Sequence, residues 1–327
     1  MSSRDADIAD TPAPFSAAAL FLAVIALGAI AGLLAPAYSS TFSEGADATL
    51  LLLIFLLMFE LRLGAVFKAF GNTKVLGLAW AANFLLVPVI GFGIASLIFS
   101  GQPLLFVGLM IYFLAPCTDW FLGFTRLAKG DTEVGAALIP INMVTQILLF
   151  PLWLWLFAQS TGLVEFEAMP NMLLQWFILP LACAQALRFA CSRFLPQAWN
   201  DRVLSLAASV IPFVLAALIF QLFATHIGVI ALSWSVIALV ILAVCMFFGA
   251  TFATGEILSR VGGLSHKQRV LLSMTMAARN APLMLALTAI AIPDQPLVLA
   301  VIVAGMLIEI PLLTALKQVL VLRNPER

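Results

Sequence analysis

The residues of this chain that could do chemistry are few, and they sit where a lipid bilayer tolerates them least. Within the apolar run from Leu104 to Lys129 comes Ala115-Pro116-Cys117-Thr118-Asp119, a thiol, a hydroxyl and a carboxylate directly after a proline. Proline removes a backbone donor and clashes with the preceding turn, so a helix should break there. A second apolar run carries Ala278-Arg279-Asn280-Ala281-Pro282, and a third places Glu309 just before Ile310-Pro311. A thiol at a helix break, near exposed amide donors and a half-helix N-terminus, is favoured as thiolate. A thiolate selects soft partners such as trivalent arsenic or antimony over alkali cations, although Asp119 works against a second negative charge. Glu309 has no cation near it in sequence. A carboxyl in low-dielectric surroundings holds its proton more tightly than one in water. Glu309 therefore reads either as a proton-coupling group or as a neutral glutamate bonded to a neighbouring helix.

An ionised side chain at the bilayer centre costs at least about 2.5 kcal/mol, so partners are expected. The simplest partnership joins Asp119 to Arg279 across the two proline breaks; contact of either with substrate is the alternative. Thr118, Asn280 and Asn83 supply uncharged polar groups for the same site, with Asn142 and Gln146 as further candidates. Cys183, Cys191 and Cys245 lie in or beside apolar segments, show no metal-ligand spacing, and read as small hydrophobic fillers. Cys117 is set apart from them by its place at the helix break. Prolines 88, 140, 151, 180, 212 and 311 also lie in apolar runs, so a lone proline says little. Proline together with polar or ionisable residues is what singles out these two segments.

The elements that must position these groups are membrane helices. Of 327 residues, 63% are hydrophobic and 10% charged, where a soluble domain carries about 25% charged residues; mean hydropathy is +1.12. Ten segments reach the roughly 20 apolar residues that a span needs: about 15–35, 48–67, 75–99, 104–128, 134–158, 169–190, 203–224, 229–254, 268–291 and 296–320. Residues 1–14 are polar and slightly acidic, and the first apolar run is too long for a cleaved signal, so they read as a cytoplasmic tail. Every one of the sixteen Lys and Arg residues except Arg279 falls in alternate connections or at the termini. Ten spans in the cell membrane with both termini cytoplasmic require that placement.

Asn280 follows Cys117 by 163 residues, half the chain. Five spans plus five, with breaks at corresponding positions, predict two inverted repeats over 15–163 and 164–327. Corresponding broken segments in two halves mark a midplane binding site in transporters.

The Ala-Pro-Cys-Thr break followed by Leu-Ala-Lys-Gly-Asp (127–131), Arg-Asn-Ala-Pro-Leu (279–283) and Ile-Glu-Ile-Pro-Leu (308–312) resemble the bile acid/sodium symporter superfamily, and within it the yeast-type arsenite permease branch. That resemblance implies an all-α membrane fold of ten transmembrane helices. The broken fourth and ninth spans would cross in a core domain with spans 3, 5, 8 and 10, packed on a panel of spans 1, 2, 6 and 7. It also implies Cys117 as the metalloid-contacting cysteine, Glu309 as the essential last-span glutamate, and export of arsenite or antimonite driven by the proton gradient. Two departures stand out. Sodium-coupled members carry a glutamate five residues before the Asn that matches Asn280, where this chain has Thr275; a hard cation wants several oxygens, so the loss argues against that sodium site. Asp119-Trp120 and Arg279 replace small, apolar or amide residues, which leaves an organic arsenical or a small anion open as substrate.

Two readings follow. The first is a secondary transporter exporting arsenite in exchange for protons, with Cys117, Thr118, Asn280 and Asn83 as its substrate site. The second is a sodium- or proton-coupled carrier of a small organic anion held by Arg279. No catalytic dyad, HExxH, nucleophile elbow or nucleotide loop occurs, and His226 and His266 fall in expected loops. No enzyme, cofactor or nucleic-acid partner is expected; the partners are the solute, protons and lipid. Glu60 reads as an interfacial residue.

Overall fold

Backbone groups in lipid must be satisfied within the chain, and the apolar segments answer by forming helices. A computed structural model describes residues 14–60, 73–118, 120–158, 178–230, 234–292 and 294–323, and among the described residues there are twelve α-helices and no β-strand. They are α1 (Pro14–Leu34), α2 (Ser39–Glu60), α3 (Thr73–Phe99), α4 (Pro103–Leu114), α5 (Trp120–Leu127), α6 (Thr132–Ala158), α7 (Leu179–Phe194), α8 (Gln197–Ile230), α9 (Trp234–Val261), α10 (His266–Ala277), α11 (Ala281–Ala291) and α12 (Pro296–Leu322). One π turn, Ala82–Leu86, interrupts α3. Six helices (α2, α3, α6, α8, α9 and α12) are long and apolar enough to cross a membrane, and α1, α4 and α11 are shorter apolar helices. The chain is an all-helical membrane protein.

The expected fourth and ninth spans are each two helices. The first halves stop at Leu114 and Ala277, and the backbone extends at Ala115 (φ −102°, ψ 111°) and Ala278 (φ −75°, ψ 136°). Pro140, Pro151, Pro212 and Pro311 stay inside continuous helices, so proline alone does not break a span here. Adding 163 to the bounds of α4, 103–114, gives those of α10, 266–277; adding it to α6, 132–158, gives 295–321, one residue from each end of α12.

Several edges differ from the sequence expectation. The second span's helix starts at Ser39 rather than near residue 48, because its polar first turns continue the same helix. His226 lies within α8 and His266 opens α10, so neither is in a loop. Glu60 is the last residue of α2 and half-buried. Residues 1–13, the connection with Arg62 and Lys68, the loop with Glu165 and Glu167, the start of the sixth span and Arg327 lie outside the described residues.

Two compact units divide the helices. One gathers α1, α2, α7, α8 and the segment Ala289–Pro296; the other gathers α3–α6, α9, α10, most of α11, and α12. In the first, α1 meets α8 through Gly28 and Gly32, one turn apart on one face. A Cβ at Gly28 would lie 2.6 Å from the Phe220 carbonyl oxygen, and one at Gly32 would run into that of Ala224; small residues allow such close approach of membrane helices. The last carbonyls of α2 are served by α7. Gln185 Nε2 donates to Met58 O (2.7 Å) and Arg188 Nη1 to Phe59 O (2.6 Å), a cation at the negative end of a helix dipole.

In the second unit, basic residues from several connections gather at one end. Glu256 on α9 pairs with Arg269 (2.7 Å), Arg323 (3.5 Å) and Arg260 (3.8 Å). Nearby in the chain, Lys74 Nζ donates to Gly262 O (2.8 Å) and Asp131 N to Lys267 O (3.0 Å). Asp131 also caps α6, its Oδ1 accepting from Val134 N at 3.1 Å.

The α1–α8 contact is testable. Gly32→Ala forces overpacking that costs about 1–3 kcal/mol, and the purified protein in detergent should melt at a lower temperature. Gly93→Ala, whose Cβ meets open space, should hold or raise it; equal melting of the two variants would refute the contact.

Candidate functional site

The helix ends at Ala115 and Ala278 leave peptide groups unpaired in apolar surroundings, and the two breaks solve this for each other. Cys117 N donates to Ala278 O at 3.0 Å, and Asn280 N donates to Ala115 O at 2.8 Å. Pro116 and Arg279 face each other between these bonds as an isolated antiparallel bridge. A shift of 163 residues turns 115 into 278 and 117 into 280, so each bond is the image of the other.

Arg279 is wholly buried, at 0% exposure. Its Nη1 donates to Phe113 O (2.9 Å), and its Nη2 to Thr275 O and Met276 O (2.8 Å each). These carbonyls belong to the last turns of α4 and α10, which have no further helical N–H to accept and carry the negative end of the helix dipole. The guanidinium carbon also lies 5.4 Å from the centre of the Phe247 ring, which stacks on Phe113 at 4.1 Å. Asp119, the expected partner, lies outside the described residues; the described partners of the guanidinium are three carbonyls and an aromatic face.

Glu309, on α12 and 2% exposed, reaches the same place from another side. Its Oε1 accepts the backbone N–H of Arg279 at 2.8 Å, and its Oε2 accepts the Tyr112 hydroxyl at 3.1 Å. That hydroxyl also lies 3.1 Å from Gly305 O. Gly305 leaves room for the phenol: a Cβ there would sit 2.9 Å from the ring. The carboxylate and the guanidinium are also within electrostatic reach of each other. Tyr112 escaped sequence reasoning. The available signal was a phenol inside an apolar span, which needs a partner when buried.

Cys117 is buried and not in a disulfide, with its sulfur in electrostatic range of the Tyr112 hydroxyl and the Arg279 guanidinium. Next to it, Thr118 Oγ1 accepts from Asn280 Nδ2 at 3.2 Å. Asn280 Oδ1 in turn accepts from Leu283 N at 3.4 Å, capping α11. Cys117, Thr118 and Asn280 thus converge, and Glu309 is joined to them through one peptide. Asn83 stands apart. It sits in the π turn of α3 and donates to Thr275 Oγ1 at 3.0 Å, where Asn142 Nδ2 also points from 3.5 Å.

The amide oxygens of Asn83, Asn142 and Gln146 are buried and accept from no donor among the described residues. Gln146 also lines a small cavity beside the crossing, with Leu114, Ala115, Phe150 and Met284. The filler reading of the other cysteines does not hold: Cys183 and Cys245 are exposed and Cys191 is half-buried. Their apolar surroundings are the outer faces of helices, which in a membrane protein are as hydrophobic as the interior.

Residues 48–254, more than half of the chain, match the model of the Sodium Bile acid symporter family. The chain is also 26% identical over 269 residues to the Arsenical-resistance protein Acr3 of Corynebacterium glutamicum, covering 78% of this chain and 72% of that protein. The extent of the family match, on a chain of membrane-length apolar helices, settles the class: this protein is a transporter rather than an enzyme, and it belongs to the Sodium Bile acid symporter family.

Proposed function

We propose that this transporter exports arsenite, and by the same chemistry antimonite or organic arsenicals, in exchange for protons. The observation that carries the reading is a buried thiol, Cys117, at the crossing of two broken helices, one peptide away from the carboxyl of Glu309. The arsenical-resistance relative supports it. Arsenite at neutral pH is an uncharged trihydroxide, which calls for a soft ligand and hydrogen bonds rather than a charge clamp. The Cys117 sulfur bonds to arsenic while the thiol proton leaves with one arsenic hydroxyl as water; the reverse step releases the solute. Thr118, Asn280 and the amide oxygen of Gln146, which accepts from no described donor, are the partners for the remaining hydroxyls, with Asn83 lining the route.

Glu309 is the coupling group. In the crossing it accepts two donors. A proton added to it turns an accepting oxygen into a donor, so that either the Tyr112 hydroxyl turns its own proton to Gly305 O or the Arg279 N–H is loosened. The second of these adjoins Asn280, so the proton and the solute act on the same few atoms.

The reading extends to the architecture: ten spans in the cell membrane, two inverted repeats over 15–163 and 164–327, a cytoplasmic tail at 1–14 and a cytoplasmic C-terminus. The 163-residue offset of helix bounds and the mirrored bonds of the crossing support it. So does the gathering of Arg260, Arg269 and Arg323 around Glu256. The grouping of α1, α2, α7 and α8 in one compact unit supports a panel domain, and that of α3–α6, α9, α10 and α12 in the other supports a core domain. The organic-anion reading has less support, because both terminal nitrogens of Arg279 are engaged by carbonyls.

Everted vesicles from cells expressing the chain should accumulate arsenite when energised, and Cys117→Ala should abolish this accumulation at unchanged protein level. Full transport by that variant would overturn the thiol's role. Glu309→Gln should remove the response of transport to an imposed pH gradient while arsenite still raises the melting temperature of the purified variant. A gradient response equal to that of the native protein would rule out coupling through this carboxyl.

A further inference from the structure

The family's name includes a sodium ion, and the carbonyl ends of broken membrane helices are where transporters hold such ions. The residues at those ends in this chain do not fit one. Sodium, like other hard cations, needs several oxygen ligands. The carbonyls of Phe113, Thr275 and Met276 do converge from α4 and α10, but each already accepts an N–H of Arg279 at 2.8–2.9 Å. The hydroxyl of Thr275 receives Asn83 and Asn142. The carboxylate of Glu309 is turned to the Arg279 N–H and Tyr112. A full positive charge is nonetheless present, buried and fixed among those carbonyls.

We infer that the Arg279 guanidinium is a tethered cation that takes the place of a coupling ion between the carbonyl ends of α4 and α10, so that the crossing assembles without sodium. The shape of the side chain explains why arginine serves. Its planar fork sends one nitrogen to each helix end, which a lysine ammonium on one flexible stem cannot reproduce, and its face lies against Phe247. A cation bound through the chain cannot leave, so it cannot carry a gradient. Resting on the transport reading above, this leaves the proton on Glu309 as the exchangeable charge. The occupancy of the ion's place by Arg279 is separable from the identity of the solute.

The test uses the purified full chain in detergent, melted in choline chloride, in sodium chloride, and in choline with a few millimolar guanidinium chloride. The native protein should melt at the same temperature in all three. Arg279→Ala should melt lower in choline and regain about 3 °C or more with guanidinium, as expected when a ligand refills a vacated site. In proteoliposomes the same addition should raise its arsenite transport several-fold. The inference is overturned if sodium stabilises the native protein, if Arg279→Ala melts like native in choline, or if guanidinium does not restore it. Should Arg279→Ala not fold in any medium, Arg279→Lys decides: lower melting than native supports the two-helix fork, and identical melting refutes it. The melting pattern holding while arsenite transport is absent would remove the substrate reading and leave this one standing.

Discussion

Peptide groups without partners in apolar surroundings cost several kcal/mol each, and two broken helices expose them at two places. Neither break could be tolerated alone. Crossed, they pair Cys117 N–H with Ala278 O and Asn280 N–H with Ala115 O, so that the freed groups of each break become the partners of the other. What the exchange leaves over is finished by side chains. Arg279 takes carbonyls from both preceding helices, Asn280 caps the helix that follows, and Glu309 takes the N–H of Arg279. The polar character of this site is therefore a consequence of the breaks before it is anything else.

The two buried charges are handled in the same way. A buried ion pair often fails to recover the cost of desolvating both ions unless other hydrogen bonds satisfy them. Here each ion has its own set: dipole ends and an aromatic face for Arg279, a peptide N–H and a phenol for Glu309. Their mutual attraction adds to these sets without being the sole support of either. A carboxylate so placed can change its charge without leaving a bare guanidinium behind, which an exclusive side-chain pair would not permit.

Much of this was legible in the residues, for reasons that differ between the two breaks. Pro116 lies two residues past the end of α4 and its missing N–H fits the interruption. Pro282 does something else: it is the second residue of α11, where no helical partner for its N–H exists, so it starts a helix rather than ending one. In the sequence the second break is marked by Pro282 in the company of Arg279 and Asn280 and by the 163-residue spacing, so the expected interruption is there although this proline does not end the preceding helix. The partners of Arg279 were not legible, because a carbonyl oxygen is present at every residue and carries no sequence signature. Tyr112 was hidden for a related reason, since its ring reads as one more apolar residue of its span. The exposure of Cys183 and Cys245 could not be read either, as hydrophobicity in a lipid-facing chain does not separate inside from outside.

The balance of donors and acceptors near the crossing bears on what it can hold. The oxygens of Asn83, Asn142 and Gln146 accept from no described donor, while the terminal nitrogens of Arg279 and the amide nitrogens of Asn83 and Asn280 are already turned to protein acceptors. A solute that brings hydroxyl protons supplies what is missing. A carboxylate brings acceptors to a place already rich in them, and would have to draw Arg279 away from two helix ends whose carbonyls nothing else described would then satisfy. The cost of that exchange falls on the backbone crossing itself. The proposed solute, a neutral trihydroxide beside Cys117, asks for no such exchange, since it brings donors and carries no charge that would compete for Arg279.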